Sequence, residues 1–353
     1  MVRRAAIILA GGRGARFQNE KEWQDKALAP LFGKPLLVHV VENVRKLVDE
    51  IVVCVNDEER KARYAKILTH HKFSEANLVV DEKIDHLGGP LVAIFSGLKF
   101  SSADYCITLP GDMPLVQSKV VEYMFEKAKE ARVVVPMWPN GRLETLMMTL
   151  EKPCALEIAD TLCQLGRPRS DDLIRGALNV IFLSIIGDLA TLDPEFKSFV
   201  NINFPEDLAQ LQPRRGEGPL STSLHLIRGT LPVDALNDMR EAVTSCRETN
   251  FLNAAMIFSS CADFLEKQNS YFWAAVAREN EGKSYRSLSK SQTEPSLAKS
   301  FLANGRNAFH KAAETYGFEA KMHEESSCFF LANRAINDKM WCEARASELR
   351  SSA

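Results

Sequence analysis

The chain has no Cys-x-x-Cys pair, almost no net charge and no clustered histidines. It also has no apolar run near the roughly 20 residues that a bilayer-spanning helix needs. Eight cysteines are scattered at 54, 106, 154, 163, 246, 261, 328 and 342, a spacing that excludes a zinc ribbon. Several sit inside apolar segments, where a reduced thiol packs as a small hydrophobe and suits a reducing compartment. Forty-four Lys and Arg against 46 Asp and Glu give a formal charge of −2, which argues against a broad nucleic-acid surface but leaves room for a local phosphate pocket. His70 and His71 adjoin a helix end, and His39, His225, His310 and His323 stand alone, so no Ser-His-Asp or Cys-His arrangement can be built. Met1-Val2-Arg3-Arg4 followed by an apolar stretch resembles the start of a signal peptide, but the stretch is too brief; a cytoplasmic protein, away from membrane and nucleic acid, is expected.

What is present begins with the six-residue apolar run near the start of the chain. Ala5-Ala6-Ile7-Ile8-Leu9-Ala10 reads as a strand buried on both faces, and Gly11-Gly12-Arg13-Gly14-Ala15-Arg16 follows at once. Glycines there let the backbone turn tightly and bring bare N–H groups to a phosphate chain. Arg13, Arg16 and Lys26 can neutralise phosphate oxygens. The loop lacks the Gly-Lys-Ser/Thr ending of a Walker loop and the third glycine of a dinucleotide fingerprint. An ordinary glycine turn also fits the loop taken alone.

The 353 residues are enough for two domains, and 46% hydrophobic with 25% charged residues marks a globular chain. Residues 1–211 alternate short apolar runs at 51–55, 78–80, 105–109 and 133–135 with helical spacing over 36–47, 58–68, 91–98 and 119–131. That alternation predicts an α/β domain with a doubly wound, mostly parallel, Rossmann-like sheet; the runs 146–150 and 180–186 extend or cross its edge. Residues 212–223, rich in Pro, Gly and charge, read as a linker. Residues 224–353 read as all helix. Apolar stripes through Phe251, Ala254, Ala255, Phe258, Ala262 and Leu265, and through Leu302, Phe309, Ala313 and Tyr316, fit a tetratricopeptide-like helical repeat or a plain bundle. Such a domain could bind a protein partner or mediate self-association.

Several polar residues fall at strand ends, where ligands of open parallel sheets bind. Gly111-Asp112-Met113-Pro114 closes the fourth strand, and a carboxylate there can hold Mg2+ bridging phosphate oxygens. A turn former or helix cap is the other reading of Asp112. Asp81 ends the third strand and is a second candidate for ribose or metal contact, with Asp85 a near rival and His86 a loop residue. Gly88-Gly89-Pro90 opens a helix whose free N–H groups and positive dipole end would add to the site. Asn201 and Asn203 alternate along an extended run and share a face; their amides suit a pterin, a base or a sugar, and turn chemistry before Pro205 suits them too.

Leu9-Ala10-Gly11-Gly12 with Arg16, Asp25-Lys26-Ala27-Leu28, Gly33-Lys34-Pro35-Leu36, Asn56, Asp81, Gly89-Pro90-Leu91, Gly111-Asp112-Met113-Pro114 and Asn201-Ile202-Asn203-Phe204-Pro205-Glu206-Asp207-Leu208 follow one another in order over about 210 residues. Together they resemble the MobA-like nucleotidyltransferase family, whose sheet is of the nucleotide-diphospho-sugar transferase type; the helical tail is not covered. The resemblance implies a nucleoside triphosphate, GTP foremost, along Leu9, Ala10, Gly11, Gly12 and Arg13. Asn56 would contact base or ribose, with Asp81 nearby. Arg16, Lys26 and Asp112 would form the catalytic set, Lys26 on phosphate and Asp112 on Mg2+. Asn201 and Asn203 would face a phosphorylated acceptor, molybdopterin foremost, and pyrophosphate would leave. Cytidylyl transfer, or cobinamide phosphate, phospholactate or a sugar phosphate as acceptor, is the alternative within the class. A nucleotide-binding helical-repeat adaptor is the alternative outside it.

Overall fold

A computed structural model describes residues 2–12, 25–84, 87–204 and 206–351. The chain divides into two compact units, one made of residues 1–163 and 168–227, the other of 164–167 and 228–353.

The first unit is built on β1 (Arg4–Leu9), whose residues Ala5 to Ile8 are fully buried because helices cover both sheet faces. A minimal hairpin of β2 (Pro30–Leu31) and β3 (Lys34–Pro35) turns through Phe32 and Gly33, both at positive φ, and leads into α1 (Leu36–Val44). Then come β4 (Glu50–Val55), α2 (Glu58–His70), β5 (Asn77–Val80), α3 (Pro90–Phe100), β6 (Tyr105–Pro110) and α4 (Ser118–Lys127). The far half holds β7 (Val133–Met137), β8 (Met148–Glu151), α5 (Lys152–Gln164), α6 (Ser170–Gly176), β9 (Asn179–Ser184), α7 (Asp207–Gln210) and β10 (Leu224–Ile227).

The eight-stranded sheet runs β10, β9, β7, β8, β6, β1, β4, β5. β1 pairs in parallel with β4 and β6, β4 with β5, and β7 with β9; β8 and β10 run against their neighbours. The expected doubly wound, mostly parallel sheet is therefore observed. Because β8 is antiparallel to both β6 and β7, the carboxyl ends of β6 and β7 share one lip with those of β1, β4 and β5. Gly97 lets α3 lie flush on that sheet: a methyl there would come 2.4 Å from Ile7 Cγ2 and 3.1 Å from Cys54 Sγ.

Three local expectations shift. The helix expected over 36–47 stops at Val44, because the Asp49 N–H donates to the Arg4 carbonyl (2.9 Å) and draws the chain into the sheet. The helix expected over 119–131 ends at Lys127 in tighter turns, Lys129 to Glu126 and Glu130 to Lys127. Residues 224–227, read from the sequence as the start of the helical segment, form β10 against β9 instead. Their apolar Leu224 and Leu226 alternate inward with exposed His225 and Ile227, a period of two.

The second unit contains α8 (Val233–Arg247), α9 (Phe251–Lys267), α10 (Tyr271–Lys290), α11 (Pro295–Glu325) and α12 (Phe329–Ser351), each packed on the next in chain order. Three of the turns repeat one geometry. Thr249, Asn269 and Ser327 take left-handed φ, and the following N–H groups of Asn250, Ser270 and Cys328 bond back to the carbonyls of Ser245, Leu265 and His323. Close approach of α10 and α11 uses Gly282, where a methyl would meet the Phe309 ring at 2.9 Å. The charges buried there have partners. Arg278 is ringed by Asp263, Glu266 and Glu281, and Arg167 by Glu279 (3.0 Å), Asp338 (2.7 Å) and the Tyr316 hydroxyl (3.1 Å). All eight cysteines are free thiols, seven of them buried. Among the described residues no helix is long and apolar enough to cross a membrane.

Candidate active site

Four parallel strands deliver polar groups to the shared lip. β1 ends in Ala10 and Gly11, with the Ala10 N–H on the Cys54 carbonyl (2.9 Å) and the Leu9 carbonyl accepting from Gly111 N–H (3.0 Å). Gly11 lies in a cleft: a methyl on it would sit 3.2 Å from both Asn56 N and Asp81 Oδ2. Asn56 itself is exposed. Asp81 continues β5, its N–H bonded to the Val55 carbonyl at 2.8 Å. Among the described residues its buried Oδ1 has no hydrogen-bond partner. Burial pushes its carboxyl up to about 7, against the opposing pull of the Arg60 guanidinium. A half-buried carboxylate without a donor, beside a backbone cradle, can receive hydrogen-bond donors from a ligand.

Lys26 meets Asp112 in an ion pair, and its Nζ donates to Asn203 Oδ1 at 3.0 Å. Backbone fixes the same junction, since the Ile202 N–H donates to the Asp112 carbonyl (3.1 Å). Asp207 folds the segment by accepting from the N–H groups of Asn203 (2.6 Å) and Phe204 (2.9 Å). Asn201 is half-buried on that stretch and makes no such bond among the described residues.

Beneath Lys26 lies a support that sequence reasoning did not single out. The Asp25 side chain is 6% exposed; it accepts from Arg63 Nη2 (2.8 Å) and the Tyr64 hydroxyl (2.8 Å) and forms an ion pair with the Arg60 guanidinium (3.3 Å). Arg60, 3% exposed, also donates to the carbonyls of Ala10 (3.4 Å) and Gly12 (3.1 Å). Tyr64 reaches the Ala10 carbonyl as well (3.4 Å), and burial together with Asp25 raises its phenol. One helix face thus ties the glycine loop and the lysine segment together. Spacing within α2 places Arg60, Arg63 and Tyr64 side by side at i, i+3 and i+4. The N-cap Asp57 sets the helix start by accepting from Arg60 N–H (2.6 Å).

The structure therefore brings Gly11, Gly12, Lys26, Asn56, Asp81, Asp112 and Asn203 to one lip. Arg13, Arg16, Asp85, His86 and Pro205 lie outside the described residues. The start of α3 contributes less than expected. The Leu91 N–H is already bonded to the Pro168 carbonyl (3.1 Å), and Gly89, at φ +126°, packs against Pro168. No group of three or more His, Cys, Asp or Glu gathers among the described residues, so a closed protein cage for a metal is absent there. Asp112 could nonetheless hold a divalent metal carried by phosphates. Such an ion needs one or two carboxylates with phosphate and water, and among the described residues the Asp112 carboxylate pairs with Lys26 alone.

A doubly wound sheet with a glycine cradle, a lysine and two carboxylates on one lip defines a phosphate-handling α/β domain. Residues 6–177 match the MobA-like NTP transferase domain. The probable molybdenum cofactor guanylyltransferase of Methanosarcina acetivorans is 33% identical over 211 residues, covering 59% of this chain and 89% of that protein. Its counterpart in Methanosarcina mazei is 31% identical over 208 residues, with the same shares. The crystal structure of molybdopterin-guanine dinucleotide biosynthesis protein A from Archaeoglobus fulgidus aligns with a TM-score of 0.48 at 23% identity, over 59% of this chain and 96% of that one. The chain belongs to the MobA-like NTP transferase family and is a nucleotidyltransferase; helices α8 to α12 lie beyond the matched domain.

Proposed function

We propose that this protein transfers a guanylyl group from GTP to molybdopterin with Mg2+, releasing pyrophosphate. The observation that carries the reading is the junction of Lys26, Asp112 and Asn203 beside the Gly11–Asp81 cradle. Guanine offers adjacent N1–H and amino donors, and a carboxylate with a free buried oxygen can accept both; adenine and cytosine offer a single amino donor there. Lys26 would hold phosphate oxygens, and Asp112 would hold the metal, which when bound supplies charge for the departing pyrophosphate. Arg13 and Arg16 would add charge from the glycine loop. Asn203, with Asn201 on the same run, would orient the acceptor. The acceptor's terminal phosphate oxygen forms a bond to the α-phosphorus as the bond from that phosphorus to the pyrophosphate oxygen breaks. Positioning and charge neutralisation carry such a step without a protein nucleophile. The relatives' names, probable molybdenum cofactor guanylyltransferase, support a guanylyl group transferred in molybdenum cofactor chemistry.

The test is pyrophosphate release from each of the four triphosphates, offered with molybdopterin, cobinamide phosphate, phospholactate or a sugar phosphate. GTP with molybdopterin should be fastest, and Asp112→Ala and Lys26→Ala should each abolish or nearly abolish turnover while the fold persists. Undiminished release by Asp112→Ala would remove the metal role, and preference for another pair would replace the proposed substrates.

A further inference from the structure

The stretch 212–223, which the sequence presents as a linker, lies against the first unit as a strap. Gly216 and Gly218 press onto the loop after β7 so closely that a methyl on either would come 2.4 Å from Asn140 Oδ1 or the Pro139 carbonyl. The Leu220 N–H donates to the Pro139 carbonyl (3.0 Å), and Ser223 Oγ accepts from the Ser184 N–H at 2.7 Å. Arg142, paired with Glu144 (3.3 Å) and stacked on Trp138 (5.2 Å), donates to the Arg214 carbonyl. The strap is thereby fixed in register at the carboxyl end of β7.

Two guanidiniums emerge from it. Arg214 lies over the Phe204 ring (5.6 Å) and Arg215 over Phe196 (4.7 Å), and both residues are exposed. Phe196 in turn rests on buried Trp138 at 6.0 Å. Neither arginine faces a carboxylate among the described residues. Stacking on an aromatic ring steadies a guanidinium while leaving its edge donors available. Phe204 directly follows Asn203, the residue bonded to Lys26. The nucleotide cradle occupies the β1, β4 and β5 side of the lip, and the arginines flank the junction of Lys26, Asp112 and Asn203 from its β7 side.

Resting on the transferase reading above, we propose that Arg214 and Arg215 form an anion shelf, beside Asn203, that binds the acceptor's reacting phosphate monoester and steers it towards the α-phosphorus. The fork of each guanidinium matches phosphate oxygens two at a time. The strap thus makes residues beyond the matched domain part of acceptor recognition.

The full-length chain tests this in two arms. First, inorganic phosphate is titrated while the side-chain N–H signals of the arginines are followed by NMR; shifts at Arg214 and Arg215 are expected. Second, Arg214→Gln, Arg215→Gln and the double variant are assayed for guanylyl transfer to molybdopterin. The double variant should raise the acceptor KM about tenfold or more, which corresponds to about 1.4 kcal/mol, with the GTP KM unmoved and melting unchanged. Arg→Lys at both positions should recover part of the loss. Absence of shifts at both arginines, or an acceptor KM unchanged in the double variant, overturns the proposal. Phosphate shifts in a protein that transfers to no acceptor would instead overturn the transferase reading and leave the anion site standing.

Discussion

Replacing Asp81 by asparagine should separate stability from nucleotide recognition. In the folded chain this carboxyl is pushed up to about 7, chiefly by burial, from an ordinary value of 3.8. A rise of that size is worth about 4 kcal/mol between protonation states. Solvent reaches part of the side chain, which reduces the share expressed in stability to about 2 kcal/mol. The sign follows from linkage. The folded state binds the proton more tightly, so the stabilisation is complete below 3.8 and is lost as pH rises through about 7. An amide has no such penalty. At about pH 8 the Asp81→Asn protein should melt roughly 4–8 °C above the parent for a domain of this size, and the gap should shrink steadily as pH falls and largely close only near pH 4. GTP affinity should move the other way. The amide turns a donor towards the guanine donors, a loss of about 1–3 kcal/mol in a buried setting, and parent affinity should climb with pH through about 7 as the carboxylate forms. Differential scanning calorimetry at the two pH values and titration calorimetry with GTP read both effects. A melting gap independent of pH, or a variant less stable than the parent at high pH, would refute the reading of Asp81 as a desolvated, partnerless carboxylate.

Tyr64→Phe removes a hydroxyl that reaches both Asp25 and the Ala10 carbonyl. It should cost about 1 kcal/mol of stability and raise the KM for GTP several-fold more than the KM for the acceptor in steady-state kinetics; equal changes in both would deny Tyr64 a positioning role on the nucleotide side. A chain cut after residue 227 should keep β10 against β9 and stay folded, whereas one cut after 219 loses that strand and Ser223. The shorter form should melt several degrees lower by circular dichroism, and identical melting would show that β10 adds nothing.

The sheet was legible because its signals are local. Ile51 to Val55 reads as a strand from five adjacent apolar residues, and the observed strand adds only Glu50. The helix over 58–68 shows itself through its helical spacing, and it runs on to His70. What escaped were ends set by distant partners, such as the stop of α1, drawn off by a bond from Asp49 to Arg4. β10 escaped for another reason. Four residues of alternating character, beside a long helical segment, are too few to stand out from it, although Leu224 and Leu226 carry the pattern.

The candidate site divides along the same line. Lys26, Asp81 and Asp112 were visible because each follows a glycine loop or a strand end, positions with few occupants in an ordinary core. The supporting role of Asp25, and Arg60, Arg63 and Tyr64 altogether, were not, because an aspartate beside a lysine and charged residues on an exposed-looking helix also describe a solvated surface. Their role appears only when α2 closes over the segment that holds Lys26, 34 residues upstream of Arg60 by sequence number. The buried arrangement then explains why that helix carries two arginines on one face. A lysine and a glycine loop from separate parts of the chain can meet phosphate in fixed register only if something rigid holds both, and Arg60 donates to the Gly12 carbonyl while its charge pairs with Asp25, the neighbour of Lys26. Removing that bridge should therefore disturb the register between loop and lysine before it disturbs the sheet itself.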